Sequence, residues 1–231
     1  MQSASFTRLT LNPKVFYTYL IILISFLVIS LGCAHYMDTE GHWVTGMNNQ
    51  VIWGVPHIFA IFLIVTSSGV LNIASIGSLF KQSAFKPFGR LSGLITISLL
   101  IGGLSILVLD LGRPDRLIIA MTHYNFKSIF TWNIFLYSGF VLIVACYLWT
   151  MMERGANKYT KAISILALLW RLTLTSGTGL IFGFLIAREA YDSAIMAPLF
   201  IAMSLAFGLA TFMILLIIIE KTSDSKFNPE L

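Results

Sequence analysis

Leu109-Asp110-Leu111-Gly112-Arg113-Pro114-Asp115-Arg116 closes an apolar run that begins at Leu91. No charged residue lies between Leu91 and Leu109, yet the next seven residues hold four: Asp110, Arg113, Asp115 and Arg116. The run matches the roughly 20 residues that a helix needs to cross a bilayer. It therefore reads as a membrane helix whose end sets two acids and two arginines at a water–lipid boundary.

The rest of the chain repeats this pattern. Of its 231 residues, 57% are hydrophobic and 11% charged, against about 25% charged in a soluble domain. The apolar runs are too long for the alternating strands of a barrel, each of roughly ten residues. The expected fold is an all-α integral membrane protein, one transmembrane helical domain over 1–231. Six spans are predicted, at about 15–35, 52–80, 91–109, 129–152, 162–187 and 194–219. Cys33 follows Gly32 as in a lipoprotein site, but the run before it is too long for a signal peptide and reads as a retained first helix.

The net charge of +5 is spread over short loops rather than gathered in a patch, which speaks against nucleic acid and for a topology signal. Arg8, Lys14, Lys81, Lys86, Arg90, Arg154, Lys158, Lys161, Lys221 and Lys226 fall on one side of the spans. Arg113, Arg116, Lys127 and Arg188 fall on the other. The richer side is expected to be cytoplasmic, with both termini, in a bacterial inner membrane. The loops at 36–51 and 111–128 are then external. They are the longer ones, so functional surface is expected there.

Cys33 and Cys146 stand far apart, and no CxxC, Cys/His ligand pattern or haem motif occurs. The chain is expected to bind no haem, iron–sulphur cluster or metal of its own.

Three spans carry polar residues in helical phase. His57, Ser68, Asn72 and Ser75 share a face of the second span; Ser92, Thr96, Gly103 and Asp110 share one on the third. Arg171, Thr175, Thr178 and Glu189 share one on the fifth. Small and hydroxyl residues are ordinary helix-packing surfaces in lipid. Arg171 differs, since it lies ~25 Å along the helix from Arg188 and a deep arginine must pair, snorkel or meet water. Two readings of Ser68, Asn72, Ser75, Arg171, Thr175 and Thr178 stand: structural pairing and packing, or a proton path.

At the outer boundary, each polar residue has a plain explanation when taken singly. His57 can be an interfacial hydrogen bonder, and Asp110 can pair with Arg113 or Arg116. Trp132, Asn133 and Tyr137 can belong to the aromatic belt, and Arg188, Glu189 and Asp192 can form a solvated turn. Together they bring a titratable His, a titratable Asp, an Arg/Glu pair and aromatics to one depth on four helices. That set suits a quinone, menaquinone or ubiquinone, which needs a flat apolar slot, hydrogen bonds to two oxygens and groups that exchange protons.

Trp53-Gly54-Val55-Pro56-His57-Ile58-Phe59-Ala60, the stretch Leu109 to Arg116, and His123-Tyr124-Asn125-Phe126-Lys127-Ser128-Ile129-Phe130-Thr131-Trp132-Asn133 resemble the NrfD/PsrC family over roughly 48–192. These are quinone-reactive membrane subunits of polysulfide reductase-like complexes. The resemblance implies a haem-free helical anchor, partnered outside by a subunit with four iron–sulphur clusters. A molybdopterin-type or cytochrome subunit would lie beyond. It makes His57 and Asp110 the proton-exchanging, quinone-binding pair. Arg113 would brace the loop or headgroup, and Tyr124, Trp132 and Asn133 would shape the pocket or dock the partner. Arg188 and Glu189 are added by position alone. Arg116, His123 and Lys127 are candidates for partner docking.

Family members commonly carry further spans forming two four-helix bundles; six spans predict one bundle and a partial second. The expected function is exchange of electrons and protons between membrane quinone and the external subunit, with proton translocation as an extension. A non-catalytic anchor or assembly scaffold and a small transporter are the alternatives.

Overall fold

The computed structural model describes residues 12–51, 53–79, 85, 87–112, 116–184 and 192–222. The described residues are helical, without strands. The elements are α1 Pro13–Glu40, α2 Val55–Leu79, α3 Phe88–Leu109, α4 Leu117–Thr122, α5 Ile129–Met152, α6 Thr160–Gly183 and α7 Met196–Thr222. All but α4 are long and apolar enough to cross a membrane. The six predicted spans are thus present, with ends shifted by a few residues, and the protein is a multi-pass integral membrane protein. Helices are forced here because lipid offers the backbone no hydrogen-bond partners. The ends use local chemistry: α1 starts at Asn12, whose side chain accepts from the Lys14 amide at 3.0 Å, with Pro13 in the first turn.

The described chain divides into two compact units. One comprises α1 with the end of α7 from Met213, and the other spans His42 to Phe212. In the first, α1 exposes apolar side chains along its length, with Leu23 and Phe26 about two-thirds exposed. Such a helix suits contact with lipid.

In the second unit, α2, α3, α5 and α6 form a four-helix bundle in which α2 packs on α3 and α6, and α5 packs on α6 and α3. Its core holds Ile64 and Leu71, Leu100, Phe140 and Tyr147, and Leu174. Lipid is as apolar as these side chains, so close packing and polar cross-links must hold the helices together. Each neighbouring pair is linked. Ser92 Oγ donates to the Val70 carbonyl (2.7 Å), and Ser68 meets Thr175 (2.6 Å). Ser78 meets Ser164 (2.6 Å), and the Trp170 indole donates to the Leu136 carbonyl (2.9 Å). Arg90 donates to the Met151 carbonyl at 2.9 Å. Such bonds contribute about 0.6 kcal/mol each in membrane bundles, so several are needed to fix a register.

Within this unit, α7 crosses α2 backbone to backbone. A methyl group on Gly69 would run into the Ser204 carbonyl, and one on Gly208 would run into Gly69. Between α2 and α3, the Cβ position of Gly103 lies 3.0 Å from the Ala60 carbonyl.

Candidate functional site

The α2–α3 pair is an antiparallel zipper that ends in the site. Going along α3, Ser92 bonds Val70, Thr96 bonds the Ser67 carbonyl (3.3 Å), and Gly103 lies against Ile64 and Ala60. As the α3 residue number rises, the α2 number falls. The next residue on this α3 face is Asp110, and it meets His57. The stripe read from helical phase is therefore a packing face below and a polar pair at the end.

His57 Nδ1 lies 2.7 Å from Asp110 Oδ2. The Asp110 side chain is 1% exposed, while His57 keeps 23%. A second histidine faces the other carboxylate oxygen, with His42 Nε2 4.0 Å from Asp110 Oδ1. The His57 contact is short but lacks the alignment of a hydrogen bond. Both Asp110 oxygens, His57 Nδ1 and His42 Nε2 have no hydrogen-bond partner among the described residues. Burial pushes the Asp110 carboxyl above its ordinary range, and the fields of His57 and His42 pull it back in part.

Local structure fixes these groups. Asp110 caps α3, its amide bonded back to the Ile106 carbonyl at 3.1 Å. Gly112 then turns the chain with φ +65, a conformation that L side chains rarely adopt. The His42 ring packs against Gly112, its Cε1 3.6 Å from where a Cβ would stand. His42 opens a 3-10 turn, His42–Thr45, closed by the Thr45 hydroxyl donating to the His42 carbonyl at 2.7 Å. Gly54 lies under this turn, with Thr45 Oγ1 2.8 Å and Met47 Cγ 2.9 Å from its Cβ position. Trp53 stands beside His57 (ring centroids 6.4 Å) and meets Phe182 edge-on at 4.5 Å. Phe182 packs on Phe200 (ring centroids 5.3 Å) in a buried apolar cluster.

The other candidates go elsewhere. Tyr124, Phe126, Trp132 and Phe135 form an aromatic group of their own, with Tyr124 4.7 Å from Phe135 and the Trp132 indole donating to the Phe126 carbonyl at 3.0 Å. Tyr124 and Trp132 are about half exposed. Asn133 is buried between α5 and α6, donating to the Ile129 carbonyl at 3.0 Å. Arg116, His123 and Lys127 are exposed around α4, with His123 Nδ1 3.0 Å from the Thr122 hydroxyl and the Lys127 amide donating to Asn125. Arg113, Arg188 and Glu189 lie outside the described residues.

On the deeper stripe, Ser68 bonds Thr175, Asn72 donates to its own helix at Gly69, and Ser75 donates to Leu71. Thr178 donates to Leu174 and meets Tyr137 at 3.4 Å. Arg171 is 4% exposed beside Tyr147, and its Nη1 has no partner among the described residues. Sequence reasoning missed His42. It lies in a four-residue 3-10 turn, too short for a helical phase to point it at Asp110.

The model of the family described as polysulphide reductase, NrfD, matches residues 43–231. The chain belongs to the NrfD family. Among its relatives is an Archaeoglobus fulgidus protein named Hdr-like menaquinol oxidoreductase integral membrane subunit. It is 28% identical over 213 residues, covering 92% of this chain and 54% of the relative. A Halobacterium salinarum protein, named as a putative membrane subunit of dimethyl sulfoxide reductase, is 28% identical, over 87% of this chain and 51% of its own length. A selenate reductase subunit of Mesobacillus selenatarsenatis is 26% identical, over 71% and 38% respectively. This NrfD chain thus spans about half the length of the first two relatives. Its match to the family model includes both His57 and Asp110, but not His42.

Among the described residues, no group of three His, Cys, Asp or Glu side chains could hold a metal.

Proposed function

We propose that this NrfD chain is the quinone-reactive membrane subunit of an oxidoreductase complex, with His57 and Asp110 exchanging protons with the bound quinone. The observation that carries this reading is the His57–Asp110 pair, in which a carboxyl only 1% exposed stands 2.7 Å from a histidine that keeps 23% exposure. The adjoining Trp53, Phe182 and Phe200 rings suit a flat apolar headgroup. The name of the Archaeoglobus relative supports a menaquinol.

A quinol bound there supplies two electrons and two protons. His57 Nε2, the nitrogen not turned to Asp110, would bond a quinone oxygen. When Nε2 takes a proton, Nδ1 can release one to Asp110 Oδ2. Burial favours the neutral carboxyl, so Asp110 can hold that proton. The electrons must pass to a partner, for which an iron–sulphur subunit on the same face is the reading that the resemblance supports. The asymmetry of Lys and Arg supports both termini in the cytoplasm and the Asp110 end outside.

Quinol-linked turnover of the purified native complex tests this. His57→Gln and Asp110→Asn should each lower it about a hundredfold or more, the scale of a lost acid–base group. Full turnover in both variants would leave the chain as an anchor without quinone chemistry.

A further inference from the structure

We propose that His42 is the water-side proton carrier of this site, passing protons between Asp110 and the aqueous phase. The inference rests on the quinone reading of His57 and Asp110 and adds the route by which protons leave.

Asp110 stands between two imidazoles, one at each carboxylate oxygen. His57 is at Oδ2 (2.7 Å) and His42 at Oδ1 (4.0 Å). The carboxylate is 1% exposed and exchanges poorly with water by itself, whereas the His42 side chain is 22% exposed. A separation of 4.0 Å exceeds a hydrogen bond, and a small turn of the ring would close it. His42 sits in the short 3-10 turn His42–Thr45 rather than on a membrane-spanning helix.

The surroundings hold His42 at this task. Its ring rests on Gly112, two residues beyond Asp110, and its turn rests on Gly54, three residues before His57. The three groups thus share one small frame. Among the described residues, the titratable groups facing Asp110 are His57 of α2 and His42 of the 3-10 turn.

The proton balance is simple. A proton taken at His57 Nε2 is matched by one released from Nδ1 to Asp110 Oδ2. Asp110 then releases a proton from its carboxyl toward His42 Nε2, and His42 releases one to water from Nδ1. No bond between heavy atoms forms or breaks, and no electron passes through these residues. In the opposite direction of turnover each transfer reverses.

Two variants of the purified native complex test the proposal, with Asp110→Asn and His57→Gln beside them. The first readout needs no turnover: infrared titration of the protonated Asp110 carboxyl, assigned by its loss in Asp110→Asn. His42→Gln removes a ring whose field favours the ionised carboxyl, so the titration midpoint should move to higher pH. The second readout is quinol-linked turnover, which should fall about tenfold or more in His42→Ala. Added imidazole should restore it, and thiazole, of the same shape but far less basic, should not. Both variants keep the backbone carbonyl that Thr45 bonds.

An unmoved carboxyl midpoint with wild-type turnover would overturn the proposal. So would equal rescue by imidazole and thiazole, which would make His42 a filler of space. Loss of turnover in Asp110→Asn and His57→Gln with His42 variants unaffected removes the relay and leaves the quinone site. Full turnover in all variants removes the quinone site itself.

Discussion

Asp110 is the residue on which the site turns. Its carboxyl is buried at a helix end, and two histidines only partly offset that burial. The folded state therefore keeps the proton to a higher pH than the unfolded chain does. The sign follows from linkage: native protein binds more protons over that interval, so stability falls as pH rises through it. The advantage is fully present below the ordinary carboxyl range and lost as pH passes the raised value. Asp110→Asn should flatten this part of the stability–pH curve, read as the thermal midpoint of the complex in detergent from about pH 4 upward. An unchanged slope would mean that the carboxyl is solvated after all. Its place on the α3 face that meets α2 was legible in sequence, because it stands in phase with Thr96 and Gly103. His42 was not, since a loop has no period and its partner is far along the chain.

At the scale of elements, the site depends on the register of α2. One face of that helix zips to α3 through Ser67, Val70 and Ala60, and another point carries α7 backbone at Gly69. Gly69→Leu cannot be absorbed by a side-chain shift, because what it meets is the Ser204 carbonyl and the Gly208 backbone. The expected loss is about 3 kcal/mol or more, at the upper end for overpacking, read as a lowered thermal midpoint. Gly102→Ala, whose added methyl would meet only Leu63 Cδ1 at 3.7 Å, should cost little. The α2 stripe was legible as a face but not as a purpose. Ser68 turned out to bond Thr175 while Asn72 and Ser75 bond their own helix, which is a matter of rotamer and not of phase. The aromatic group of Tyr124, Phe126, Trp132 and Phe135 was legible only as boundary residues. The turn after α4 gathers these rings with one another.

At the scale of the whole molecule, long uncharged runs left little choice but six membrane helices, and α5 falls on its predicted limits, Ile129–Met152. The short α4 was missed, because six residues carry too little periodicity to distinguish a helix from a loop. The proposed orientation rests on Lys and Arg placement. With Cys33 and Cys146 replaced, a cysteine at Asn125 should react with an impermeant maleimide added outside intact cells, and one at Asn157 should not. The opposite labelling would invert the topology and put the Asp110 end inside.

The central claim is that quinone meets the protein at His57 and Asp110. Photolabelling of the native complex with an azido-quinone, followed by peptide mapping, measures this most directly. Labelled peptides are expected from around Trp53 to Ala60 and around Asp110, with labelling lost in His57→Gln. Labelling confined to other peptides, or unchanged in that variant, would contradict it.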